Sequence, residues 1–190
     1  QLEQIHSEEF PFNQNMERIL ANAAQVWDYS PENIAFLAKR GIEAKHLLPG
    51  YHPKLEMVPV SRTQNIDVLF YGSILDRRRN ILEPLSQYCK VKALRGVYGE
   101  KRDKWISRSK MVVNIHHYST KLFEAVRISY LLNNRIFVVT EESPDDSYPL
   151  VDLPRVKYEN LVQTCADYLG KPDEMEEIRN KCAEQFKTRY

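Results

Sequence analysis

The stretch IDVLFYGS, residues 66–73, decides the fold. Apart from Asp67 the run from Ile66 to Tyr71 is unbroken by polar residues, and Gly72 and Ser73 close it. A strand covered on one face alternates apolar with polar side chains, whereas an unbroken apolar run belongs to a strand covered on both faces, as in a parallel sheet. Immediately afterwards the period changes. Ile74, Ile81, Leu82, Leu85 and Tyr88 recur at helical spacing, so a helix follows the turn. Strand, glycine turn and helix in succession form the repeating unit of an α/β domain.

Working outward, the same unit recurs. Downstream, the pattern predicts a strand over 90–94 closed by Gly96 and Gly99, a helix over 100–109, a strand over 110–115, a helix over 121–133 and a strand over 135–140. A long acidic, proline-containing loop then covers 141–153, and two helices close the chain over 159–169 and 172–187. Upstream, a short strand over 25–29 leads to Ser30 as N-cap, Pro31 at the first helical position, an apolar face of Ile34, Leu37 and Ala38, and Gly41 as the stop. Residues 47–53 (LLPGYHP) and the polar stretch 61–65 lose periodicity and read as a connection, which places a boundary near Pro53. The expected fold class is α/β, a Rossmann-like parallel sheet with helices on both faces. Right-handed crossovers put the carboxyl ends of its strands on one edge.

Composition narrows the function classes. With 43% hydrophobic and 28% charged residues in 190, the chain can bury a core and is unlike a disordered or membrane sequence. The net charge of +1 offers no overall electrostatic footprint for nucleic acid or an anionic membrane, so any anion site must be local. Cys89, Cys165 and Cys182 are widely spaced, form no C-x-x-C pair and read as thiols of a reducing compartment. No apolar run reaches the ~20 residues of a membrane span, and a cytoplasmic location is expected. The chain opens on Gln1 rather than Met, which reads as a piece cut from a longer sequence.

In a parallel sheet the ligand sits beyond the carboxyl ends of the strands. Three such ends carry unusual chemistry. After the first, Gly72 and Ser73 are followed by Asp76 and the triplet Arg77, Arg78 and Arg79 at a helix start. Helix N-termini favour acids, so these cations need an anion; a phosphate on the helix amides would supply one, and a solvated basic turn offset by Asp76 is the alternative. After the second, Arg95, Gly96, Val97, Tyr98 and Gly99 leave room for a flat ligand beside Val97 and the Tyr98 ring, or form a plain connecting loop. After the third come Asn114, His116, His117, Tyr118 and Ser119, then Lys121, Glu124 and Arg127 spaced three apart as a polar stripe on an apolar helix. The stripe either meets a ligand or pairs with itself. Adjacent His116 and His117 on extended chain face opposite ways, which argues against joint metal ligation and sends one to the cleft and the other into the packing.

Residues 67–141, with DVLFYGS at one end and KLFEAVRISYLLNNRIFVVTE at the other, resemble the carboxy-terminal domain of GT-B fold glycosyltransferases of the "glycosyl transferases group 1" family. The resemblance implies a donor-binding domain over 54–190, and over 1–53 a remnant of the amino-terminal, acceptor-binding domain plus a linker. It implies a transferase of glycan biosynthesis that moves a hexosyl or pentosyl group from a nucleoside diphosphate sugar to a glycan, lipid or protein acceptor. Glu124 matches the second glutamate of the family's E-x7-E pair, which holds the donor ribose; the first glutamate's position is taken by His116, a departure that bears on the sugar contact. Gly72 and Ser73 with Arg77, Arg78 and Arg79 would take the diphosphate, Val97 and Tyr98 the base, and His117 and Lys121 would join the donor site. His116 and Glu124 would carry catalysis. Arginines and helix amides would stabilise the leaving diphosphate with no metal and no cofactor. A non-catalytic nucleotide-binding or scaffold domain is the other reading.

Overall fold

The computed structural model describes residues 12–59, 61–118 and 121–190. Part of the segment read as an acceptor-domain remnant, residues 1–11, and Ser119 lie outside them. A first helix, α1 (Gln14–Ala21), is capped by Asn13, whose side chain accepts from the Met16 amide at 2.9 Å. Strand β1 (Trp27–Asp28), helix α2 (Pro31–Ala38) and strand β2 (Lys45–His46) follow, with β1 and β2 parallel. Ser30 caps α2 through its hydroxyl and Pro31 occupies the first turn, as the residue types require. Val26, Leu37 and Ile42 form a small core of their own here.

The main sheet comprises β3 (Ile66–Tyr71), β4 (Val91–Leu94), β5 (Ser109–Asn114), β6 (Val138–Glu141) and β7 (Arg155–Val156), in the order β4-β3-β5-β6-β7. Every pairing is parallel, so all five carboxyl ends open on one edge. Between the strands run α3 (Asp76–Tyr88), α4 (Gly99–Ile106) and α5 (Ala125–Asn133), and α6 (Leu161–Leu169) and α7 (Pro172–Arg189) close the chain. Both faces are covered, which explains the apolar run in β3. Val68 and Phe70 face a core built with Ile81, Leu82 and Leu85 of α3 and Leu161 and Cys165 of α6. Leu69 faces the opposite core, with Ile106 of α4, Ile128 and Leu131 of α5, and Phe186 of α7.

Three expectations change. The helix expected over 121–133 begins only at Ala125, because Lys121 takes a positive φ of 51° and Glu124, with a ψ of 63°, still lies outside helical geometry. The strand expected over 135–140 starts at Val138, after a turn in which Arg135 also has positive φ. The loop expected up to Leu153 is followed by β7, a two-residue edge strand too short to leave a period.

Residues 49–58, which overlap the first part of the expected connection (47–53), are fastened to the main sheet and its helices. Tyr148 donates its hydroxyl to the Pro49 carbonyl at 2.6 Å, and the His52 amide donates to the Asn133 side chain at 2.9 Å. The Asn134 side-chain oxygen accepts from the amides of both Met57 and Val58 at 2.7 Å. Among the described residues no helix is long and apolar enough to cross a membrane.

Candidate functional site

At the carboxyl edge lies a cavity of about 910 Å³, walled by the segments that follow β3, β4 and β5 and by the start of α5. Its chemistry centres on Arg78. This residue is 3% exposed; its Nε donates to the Ile115 carbonyl at 2.9 Å, one terminal nitrogen donates to the Ser73 carbonyl at 3.0 Å, and the other meets Glu124 at 3.1 Å. Burial pushes the Arg78 pKa down to about 10, so the guanidinium is still charged at neutral pH. The other Glu124 oxygen holds Arg127 at 2.6 Å, and Arg127 also donates to the Asn114 side chain at 2.7 Å. One carboxylate thus clamps two guanidiniums across the mouth of β3, joining residues far apart in sequence.

Gly72 makes the close approach. Its φ is +143°, and a Cβ there would lie 3.2 Å from Arg78 Nη1 and 3.4 Å from Arg127 Nη2. Gly72→Ala should therefore both strain the backbone, at about 1–3 kcal/mol, and displace the two guanidiniums. A lower Tm together with weakened anion binding is the expected result, read by thermal melts with and without pyrophosphate; unchanged pyrophosphate affinity would mean the arginines do not depend on this glycine.

The arginine triplet divides. Successive residues on a helix point about 100° apart, so three neighbours cannot all face one ligand. Of the three, Arg78 lines the cavity. Arg77 is turned aside: it grips Glu141 with two nitrogens, donates to the His116 carbonyl at 3.0 Å and stacks 4.2 Å from the Tyr158 ring centroid. Arg79, half exposed, pairs with Asp76 at 2.7 Å on the outer surface of α3. Each of the three meets a protein carboxylate, Arg78 sharing Glu124 with Arg127, so protein side chains supply counter-charge that the sequence left open.

The histidines part as their alternation predicts. His117 lines the cavity, within 3.5 Å of Arg78, and its ring stands edge-on to Tyr118 with centroids 4.5 Å apart. His116 is the packed one, fully buried, with Nε2 3.0 Å from the Ser143 hydroxyl; burial holds its pKa below the ordinary histidine value. The structure therefore moves His116 from the cleft into the packing behind it. Lys121, off the helix, is not among the described residues that line the cavity, whereas Ser73, Val97 and Tyr98 are, with Tyr98 79% exposed. Sequence reasoning missed Glu141, Tyr71, Arg102 and Tyr130. Glu141 had a signal: it ends a strand on the edge where ligands bind. Arg102 had none, since α4 carries little periodicity.

No family model matches the chain. The chain is similar to three uncharacterised proteins of Acanthamoeba polyphaga mimivirus. The first is 28% identical over 170 residues, covering 84% of this chain and 58% of the relative; the second is 28% identical over 148 residues, covering 74% and 46%; the third is 27% identical over 172 residues, covering 85% and 22%. Among solved structures it superposes on TarM, a GT-B glycosyltransferase, with a TM-score of 0.65 at 13% identity, over 97% of this chain and 46% of TarM. The fold is GT-B-like. A second superposition, on S. aureus TarM in complex with fondaparinux, alpha-GlcNAc-glycerol and UDP, gives a TM-score of 0.65 at 10% identity, over 97% of this chain and 45% of that one. A match over 97% takes in the small β1–β2 block as well as the main sheet, while the chain spans less than half the length of TarM. It likewise spans less than two thirds of each viral relative.

Proposed function

We propose that this chain binds a nucleoside diphosphate sugar in the cavity at the sheet edge and takes part in transferring its sugar to an acceptor. The observation that carries the reading is the Arg78–Glu124–Arg127 cluster lying against Gly72 at the end of a parallel strand. Among the described residues that line the cavity are four arginines and one carboxylate, Glu124, and of the four Arg102 is paired with Asp103 behind the wall. Such a wall suits a ligand with two or more negative charges. The diphosphate would lie along Gly72, Ser73, Arg78 and Arg127, where backbone and guanidiniums approach closely. A carboxylate has about four acceptor sites, so Glu124 keeps capacity for ribose hydroxyls beyond its two arginines. Val97 and the exposed Tyr98 ring would flank the base.

As the bond between sugar and diphosphate breaks, negative charge grows on the leaving group. Arg78 and Arg127 are already held by Glu124, Ile115 and Asn114, so they can meet that charge without reorganising. This scheme needs no metal from the chain. The acceptor, and the sugar itself, would be chosen by surfaces beyond this wall.

The test is a thermal-shift panel of nucleoside diphosphates and their sugars, followed by mass detection of released or transferred sugar. At about 100-fold over Kd a true ligand adds about 2.7 kcal/mol. For a chain of this length that should raise the Tm by roughly 5–10 °C. No shift with any nucleotide would sink the proposal; a shift without turnover, even slow hydrolysis, would leave a binding domain in place of a transferase.

A further inference from the structure

Tyr71 ends β3 and stands in the cavity wall between two guanidiniums. Arg127 lies 5.0 Å and Arg102 5.5 Å from its ring centroid. The hydroxyl oxygen is buried and, among the described residues, has no hydrogen-bond partner. Its neighbour differs: the Tyr130 hydroxyl donates to Asp103 at 2.8 Å, and Asp103 also takes Arg102 at 2.8 Å. Burial pushes the Tyr71 pKa up to about 12, so the group stays a protonated donor at any working pH.

A buried hydroxyl without a partner is destabilising, and a phenylalanine would fill the same space without that cost. The orphan belongs to a residue that lines the cavity, so a base seated against that wall, with Arg102 or Arg127 shifting aside, would complete it. The neighbouring groups are donors too. Arg102 lies beside Tyr71 and Arg95 lines the same cavity, while the carboxylates of its surroundings are already engaged, Asp103 by Tyr130 and Arg102 and Glu124 by Arg78 and Arg127. A pocket floor of donors fits an acceptor-bearing edge. Among nucleobases, uracil and guanine present exocyclic carbonyl oxygens, whereas adenine presents an amino donor and no carbonyl.

We infer that Tyr71 reads the base: its hydroxyl donates to a ring carbonyl oxygen, with Arg102 beside it, so that the site takes a carbonyl-bearing base in preference to adenine. This rests on the nucleotide-donor reading above. The role is one of specificity, at the edge of the diphosphate cluster, whose Arg127 packs on the Tyr71 ring.

Calorimetric titration of UDP, GDP and ADP into the parent chain and into Tyr71→Phe tests it, with a thermal melt of each unliganded protein. The parent should bind UDP or GDP about tenfold more tightly than ADP, since one satisfied against one orphaned hydrogen bond is worth about that ratio. Tyr71→Phe should weaken the favoured nucleotide about 5- to 10-fold, leave ADP unchanged and melt no lower than the parent. Equal affinity of the parent for ADP and for both carbonyl nucleotides overturns the inference, as does a folded Tyr71→Phe with undiminished preference. Should Tyr71→Phe not fold, the ADP comparison on the parent chain still decides. Binding of none of the three by the parent is the distinct outcome in which the donor reading itself fails.

Discussion

Glu124→Ala should lower the Tm of the unliganded chain by roughly 5–10 °C, and the same variant should bind inorganic pyrophosphate more tightly while binding uridine or guanosine more weakly. The direction follows from what the carboxylate does. Glu124 is the shared partner of Arg78 and Arg127, whose side chains are 4% and 18% exposed. Removing one member of a buried pair leaves the other charge uncompensated, a loss of about 3–5 kcal/mol in a fully buried setting, and here two like charges are left facing each other. Because Glu124 retains 16% exposure, water can reach the gap and the loss is set lower, at about 2–3 kcal/mol. The same vacancy makes a better anion site. Pyrophosphate would replace the missing carboxylate, and its stabilisation of the variant should exceed that of the parent, more so at low salt. A nucleoside, which carries no phosphate, would lose the acceptor for its ribose hydroxyls. If both ligands weakened together, the cluster would be a structural brace and the diphosphate assignment would be wrong.

Glu141→Ala should destabilise the fold by about 3 kcal/mol and reduce nucleotide affinity without touching the ligand. Glu141, 1% exposed, receives both terminal nitrogens of Arg77 and the His116 amide at 3.1 Å. It therefore fastens the first turn of α3 to the segment after β5, the two pieces that carry Arg78 and His117. Arg77 is partly exposed and can turn to water, but the buried His116 amide cannot, which keeps the loss large. Denaturant melts should show the stability change. Glu141→Gln should recover much of it, because an amide oxygen still accepts from the His116 amide and from one Arg77 nitrogen. Full nucleotide affinity in Glu141→Ala would mean that the cavity does not depend on this brace.

The sheet was readable because burial on both faces writes itself into sequence as unbroken apolar runs. Residues 66–71 and 110–115 stand within a residue of β3 and β5 as found. What could not be read were features set by backbone turns and by side-chain direction. Lys121 and Arg135 take positive φ, and no residue type at those positions announces it. The arginine triplet was visible as charge, but its division among Glu141, Glu124 and Asp76 depends on the angle at which α3 leaves the sheet. Glu124 and Arg78 did meet, since both lie at strand ends that parallel topology forces onto one edge. Tyr71 was passed over although it ends its strand, because at the close of an apolar run a tyrosine looks like any other core aromatic.

The strap of residues 49–58 bears on what the cavity demands of its visitors. Pro49 and Leu55 form part of the cavity wall, and the asparagine pair at the end of α5 ties this strap down by its own amides. That rim is set before anything arrives. A flap that had to close would charge each visiting molecule the entropy of freezing it; a rim already anchored does not. For the proposed donor, selectivity on this side would then come from shape, and a molecule too broad for the gap would be refused at the threshold.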